Sequence, residues 1–195
     1  MGNSTTNSPN TTKYIIEHLE DEVYEWCIIE YGSISNIVGK ENLIITNLKT
    51  KENVQKLSGI ADARIESVLK MNLQNTCLLD MDAEKELSPD DNFGYLVFGG
   101  ILGDNPPKKR TIKFLASLEA EKRHLGKMQM STDNAVLTAS MIVKGKKLSE
   151  IKFIDNPSFP VEEGLEVNLP YRFVEVNGKP FISKELLEHI KKSGF

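Results

Sequence analysis

The residues best suited to chemistry lie in one run, FGGILGDNPPKKRT, residues 98 to 111. An apolar stretch, Tyr95 to Phe98, stops at the pair Gly99 and Gly100, and Ile101, Leu102, Gly103 and Asp104 follow. Glycine carries no Cβ, so a backbone rich in it can come close to a ligand. Exposed peptide N–H and C=O groups in such a loop can read an adenine edge and a ribose. The same glycines also suit a tight strand-to-helix turn. Asp104 fits two tasks as well, capping a helix or serving as a catalytic carboxylate. GGILG is not GxGxxG, and neither a Walker A loop nor GxSxG occurs. His18, His124 and His189 are scattered without HExxH spacing, so no metal site is expected. Cys27 and Cys77 lack CxxC spacing and sit among apolar residues, which reads as reduced core thiols.

Charge is unevenly placed around this run. Glu17, Glu20, Asp21, Glu22, Glu25 and Glu30 crowd one segment. Lys108, Lys109, Arg110, Lys113, Lys122, Arg123 and Lys127 crowd another, against Glu119 and Glu121 alone. Either both are solvated helix faces, or one side meets cations and the other anions. The net charge of -4 gives no general attraction for a polyanion.

These groups need a scaffold, and the chain can supply one. Its 195 residues, 39% hydrophobic and 27% charged, suit one soluble domain with its own core. No apolar run approaches the roughly 20 residues of a membrane span, and no signal peptide opens the chain. Residues 1–12, MGNSTTNSPNTT, read as a disordered leader. Gly2 with Thr6 matches a myristoylation pattern that such leaders also match by chance.

Strands are expected at KYIIEHL (13–19), NLIITNL (42–48), TCLLDM (76–81) and YLVFGGIL (95–102). Helices are expected at DEVYEWCIIEYGSISNIVG, at KKRTIKFLASLEAEK, and at Asp133 to Val143 with Ser131 or Thr132 as cap. Residues 50–70 read as helical or mixed, and HLGKMQMS as a strand or tight loop. EVNLPYRFVEVNGKPFIS reads as a hairpin turning at Asn177-Gly178, followed by the short helix KELLEHIKK. Alternating strands and helices predict an α/β fold with a mostly parallel sheet and helices on both faces. One domain spans 13–195, with a C-terminal extension at about 156–195. Ligands of such sheets bind outside the carboxyl ends of the strands.

Beyond this, FGGILGDNPPKKRT followed by LGKMQMSTDNA resembles the SPOUT methyltransferase superfamily. The resemblance is greatest to the branch of the fungal arginine methyltransferase that modifies a small-subunit ribosomal protein. KYIIEHLED, EWCIIEY, CLLD and IKFID fall in that branch's order. The resemblance implies S-adenosylmethionine as cofactor and a C-terminal trefoil knot, which periodicity would never suggest. It implies three cofactor loops: Leu78, Leu79 and Asp80; Gly99, Gly100, Ile101, Leu102, Gly103 and Asp104; and Leu125, Gly126, Lys127, Met128, Gln129 and Met130, leading to Thr132. Met81-Asp82 stands where the pattern has a proline and a basic residue, Asn105 stands where it has histidine, and the spacing around Gly126 differs.

The activity implied is methyl transfer to a protein arginine. Guanidinium stays protonated, so carboxylates must orient it and receive charge or a proton. Asp104 is the first candidate, with Glu17 as substrate-orienting partner and Glu30 third. The alternatives are RNA methylation, with Lys108 to Lys127 on phosphates, and an inactive S-adenosylmethionine-binding or ribosome-interaction module. A basic protein partner, a small-subunit ribosomal protein, is expected, along with a monomer rather than a dimer, a cytoplasmic location and no membrane contact.

Overall fold

A computed structural model describes residues 11–100, 114–162 and 165–193. Six strands form the central sheet: β1 (Lys13–His18), β2 (Leu43–Thr46), β3 (Asp62–Ala63), β4 (Thr76–Leu79), β5 (Tyr95–Gly100) and β6 (Glu121–Arg123). Their order is β3-β2-β1-β5-β4-β6, and every pairing is parallel. A parallel sheet is covered on both faces, so its strands are apolar at nearly every position. Tyr14, Ile16, Leu43, Ile45, Cys77, Leu96 and Phe98 enter one core layer. Their alternates Ile15, Ile44, Leu78 and Val97 enter the other.

The first layer is closed by α1 (Glu25–Val38), α2 (Lys51–Leu57) and α3 (Thr132–Val143), through Cys27, Tyr31, Ile34, Leu57, Val136, Ala139 and Ile142. On the second face, the described covering pieces are the 3-10 turns Val68–Lys70, in a stretch read as helical or mixed, and Leu115–Ser117, in one read as a helix. Burying one such Ile or Leu side chain stabilises the fold by about 1.5–3 kcal/mol.

Two local expectations are corrected, and an open one is decided. Helix α1 begins at Glu25 rather than Asp21. Leu19 N–H continues the sheet by donating to Gly100 O, and the Glu22 carbonyl accepts from His18 Nε2, so neither serves the helix. LEAEK, a good helix former, instead supplies β6, paired beside β4. Here tertiary pairing overrides propensity. HLGKMQMS is a loop carrying isolated bridges from His124 to Glu86 and from Met130 to Arg172.

The C-terminal part adds a second small core. β7 (Phe153–Asp155) and β10 (Arg172–Val176) are antiparallel, and β10 turns at Asn177-Gly178 into β11 (Lys179–Pro180) as the dipeptide predicts. An unexpected hairpin, β8 (Ser158–Glu162) with β9 (Leu165–Asn168), pairs beside it. α4 (Lys184–Ser193) closes Phe159, Leu169, Tyr171 and Phe173 through Ile190. Among the described residues, no helix is long and apolar enough to cross a membrane. The knot expectation turns on the path of 101–113, outside the described residues.

Candidate functional site

The adjacent strands β5, β4 and β6 have their carboxyl ends at one edge of the sheet, where the first and third expected loops and the start of the second lie. Leu78 is buried at the end of β4, Leu79 is half-buried, and Asp80 begins the first loop. Asp80 accepts from Asp82 N–H at 2.9 Å and pairs with Lys122 at 3.1 Å, while its own N–H donates to the Arg123 carbonyl. The third loop is tied to the first by Lys127, whose Nζ donates to Met81 O and Ala83 O at 3.0 and 3.3 Å. His124 Nδ1 accepts from Gly126 N–H at 3.1 Å. Gly126 has φ +98°, a region that favours glycine. Gln129 O accepts from Arg172 N–H at 2.8 Å, fastening the far end to β10. Leu125 is buried, Met128 is 38% exposed, and Gln129 and Met130 are intermediate. Apolar side chains beside backbone amides suit a flat heteroaromatic base with a sugar. The arrangement therefore fits S-adenosylmethionine.

In the second loop only Gly99 and Gly100 are described; Ile101, Leu102, Gly103 and Asp104 lie outside the described residues. Gly100 has a different reason from the one expected. A Cβ there would lie 2.5 Å from Ile16 Cγ2 and 2.7 Å from the Tyr31 hydroxyl, so it would point into the core. The glycine makes room for β1 and α1 rather than for a ligand. Behind it, Tyr31 OH and His18 Nδ1 are 2.8 Å apart. Since Nε2–H donates to the Glu22 carbonyl, neutral Nδ1 accepts from Tyr31. Burial lowers the His18 pKa and keeps the ring neutral.

Of the three carboxylate candidates, Asp104 lies outside the described residues, and Glu17 and Glu30 are buried in different places. Glu17 is fully buried at the end of β1. It accepts from the Thr46 and Ser67 hydroxyls and from Val68 N–H, which binds the 3-10 turn to the sheet. A carboxylate so enclosed cannot orient a substrate arginine. Glu30 is buried on α1 and accepts from Thr132 N–H at 2.9 Å and Asp133 N–H at 3.5 Å. It thereby caps α3, a task the sequence had suggested for Ser131 or Thr132. Burial first, then the Asp133 charge, pushes Glu30 up to about 8. Thr132 itself is buried. With Asn134 N–H given to Asp133 and Ala135 N–H to Ser131 O, the first turn of α3 has no donor left for an anion.

The two charge clusters also change meaning. Glu17 and Glu30 are internal, leaving Asp21, Glu22 and Glu25 exposed on the β1–α1 approach. Of the basic run, Arg123 is buried on Asp91 and Glu121 and lies over the Phe93 ring. Lys122 and Lys127 serve the loops. Lys108, Lys109, Arg110 and Lys113 lie outside the described residues. Cys27 and Cys77 are buried free thiols, both pushed up to about 12 by burial.

Sequence reading missed His18, Tyr31, Asp133 and Asn134. Asn134 links the third loop to the C-terminal part: its Oδ1 accepts from Val174 N–H at 2.9 Å, and its Nδ2 donates to Phe181 O at 3.1 Å. The string STDNA contained this signal, but reads as an ordinary cap.

Known proteins resemble this chain over most of its length. Residues 13–194 match the family described as protein arginine N-methyltransferase SFM1-like. Protein arginine N-methyltransferase SFM1 of Saccharomyces cerevisiae is 38% identical over 92% of this chain and 94% of its own. The crystal structure of the yeast enzyme complexed with SAM superposes with a TM-score of 0.87, at 36% identity, over 95% of this chain and 93% of that one. A Trm10 structure from Thermococcus kodakaraensis superposes at 0.57 with 19% identity, over 71% of this chain and 96% of that one, which shows the fold alone. The α/β fold is that of the SPOUT proteins.

Proposed function

The chain belongs to the SFM1-like family of protein arginine N-methyltransferases, and from that membership we propose that it transfers a methyl group from S-adenosylmethionine to an arginine side chain of a protein. The observation that carries the reading is the match over residues 13–194, supported by the described loops after β4 and β6 lying beside the end of β5 at one edge of the sheet. S-adenosylmethionine supplies a methyl group activated by its positively charged sulfur. The chain must hold that donor and place one guanidinium nitrogen in line with the methyl.

Leu79, Leu125, Met128 and Met130 line the base and exclude water, and the backbone of 126–130 reads its edge. Lys127 and Asn134 keep that backbone in place from either end. Asp104 is the carboxylate assigned to the substrate guanidinium, where bidentate pairing fixes the reacting nitrogen. Glu17 and Glu30 position the scaffold and do not touch the substrate.

The substrate is a basic protein segment, such as a small-subunit ribosomal protein offers. Asp21, Glu22 and Glu25 are exposed on the approach to Gly100, where Leu19 meets the second loop. The enzyme acts in the cytoplasm as a monomer. RNA methylation is less supported, because Lys122, Arg123 and Lys127 are bonded to other groups of this chain. The test is incubation of the purified protein with a cell extract and methyl-labelled S-adenosylmethionine. Label that survives ribonuclease and is lost to protease supports the proposal. Label lost to ribonuclease alone, or no transfer by a protein that binds the donor, overturns it in favour of RNA methylation or an inactive binding module.

A further inference from the structure

Glu30 and Asp133 approach each other in the core although 103 residues separate them in sequence. Both side chains are buried, at 7% and 1% residue exposure. Glu30 Oε1 takes the N–H groups of Thr132 and Asp133. Asp133 Oδ1 takes the Ser131 hydroxyl at 2.6 Å, Asn134 N–H at 2.8 Å and Asn134 Nδ2 at 3.1 Å. Two carboxylates that close in a dry setting cannot both ionise cheaply. Burial raises Asp133 as well, but its hydrogen bonds from Ser131 and Asn134 oppose that rise and outnumber the two that Glu30 accepts, so the proton rests on Glu30. The surrounding titratable groups do not replace that proton. Cys27 and Tyr31 of α1 stay neutral because burial raises both. His18 of β1, bonded to Tyr31, is also neutral. Glu20, on the β1–α1 connection, adds only negative charge towards Cys27 and Tyr31. Among the described residues, no cation acts on Glu30.

The pair sits where α1 meets the end of the third loop. We infer that Glu30 and Asp133 act as a proton-sharing latch: with one negative charge the pair holds Thr132 and the loop before it against α1, and with two it loosens that joint, weakening the loop's hold on the methyl donor. This rests on the reading that residues 125–132 take the donor. Glu30 is then a positioning residue. Its ionisation releases a proton to solvent and leaves a second buried charge that only two N–H groups and no cation offset. The direction agrees with burial and Asp133 pushing Glu30 up to about 8, which puts the transition on the alkaline side of neutrality.

The experiment titrates the full-length protein with S-adenosylhomocysteine by calorimetry from roughly pH 6 to roughly pH 9. The parent should lose about tenfold in affinity across this range, the scale of one hydrogen bond to a charged group. Glu30→Gln keeps the accepting oxygen and cannot ionise, so its affinity should stay near the parent's neutral value throughout. The ligand's own amine titrates equally in both proteins and cancels. A parent affinity that does not change, or a Glu30→Gln variant that follows the parent's fall, overturns the latch. Melting without ligand reads the pair separately. Relative to Glu30→Gln, the parent should lose stability from about pH 5 to about pH 8, since His18 titrates alike in both, and a difference between the two curves that does not change with pH overturns the pair. If the parent binds no S-adenosylhomocysteine at any pH, the donor placement fails, and the melting comparison still decides the pair.

Discussion

At the scale of single residues, several side chains do work that their types alone did not reveal. Gly100 belongs to a glycine-rich run suited to a ligand, yet its missing Cβ makes room for Ile16 and Tyr31. Gly100→Ala should therefore destabilise the fold by about 1–3 kcal/mol, the usual cost of overpacking a tight interior. Denaturant unfolding reads this, and an unchanged free energy would mean that β1 and α1 give way freely. Glu17 was legible as a carboxylate at a strand end, which is where substrate groups gather. Its three donors come from residues 29, 50 and 51 positions away, and no local pattern announces them. Glu17→Ala leaves those donors facing each other in the interior and should cost about 3 kcal/mol or more. Where the variant is folded, its turnover should match the parent's. Unchanged stability with lost turnover would return Glu17 to the substrate.

Whole elements were far easier to read than their partners. β1, β2, β4 and β5 are short apolar runs bounded by polar residues, and the two-residue period shows in which core layer each side chain enters. The turn at Asn177-Gly178 was visible because both residues take positive φ. β6 was not visible. Its residues favour a helix, and they become a strand only because β4 offers an edge and Arg123 meets Asp91, Glu121 and Phe93 there. Arg123→Ala should thus cost about 3 kcal/mol or more by leaving Asp91 without its cation in a largely buried place. It should also lower donor affinity, since β6 carries the third loop. Equilibrium denaturation with and without S-adenosylhomocysteine checks both effects, and a loss under ~1 kcal/mol would mean the strand holds by backbone pairing alone. The cap of α3 was invisible for a similar reason, as its acceptor is Glu30 on another helix.

At the scale of the whole molecule, the buried groups Glu30 and His18 give stability a readable pH profile. Glu30 is raised, so its contribution is fully present below the ordinary carboxyl range and is lost as pH rises through about 8. His18 is lowered by burial, so the unfolded chain binds its proton first and stability falls as pH drops below about 6.5. Between these limits the two slopes oppose. Glu30→Gln should expose the His18 slope, with melting temperature rising from about pH 5 to about pH 6.5 and level above it. A variant that melts lower as pH rises through that interval would show that another group dominates. The sheet, its carboxyl edge and the family resemblance could be read before any coordinates. The strand order and the buried links from Glu30 and Asn134 could not, because they join segments tens of residues apart. The central claim is methyl transfer to protein arginine with Asp104 as the group on the guanidinium. Its most direct measurement is acid hydrolysis of extract protein labelled by the parent and by Asp104→Asn, with S-adenosylhomocysteine binding measured alongside. The account predicts label recovered as methylarginine with the parent, and nearly all of it lost with the variant while binding persists. Label recovered in another residue or in nucleotides, or equal labelling by the variant, would contradict it.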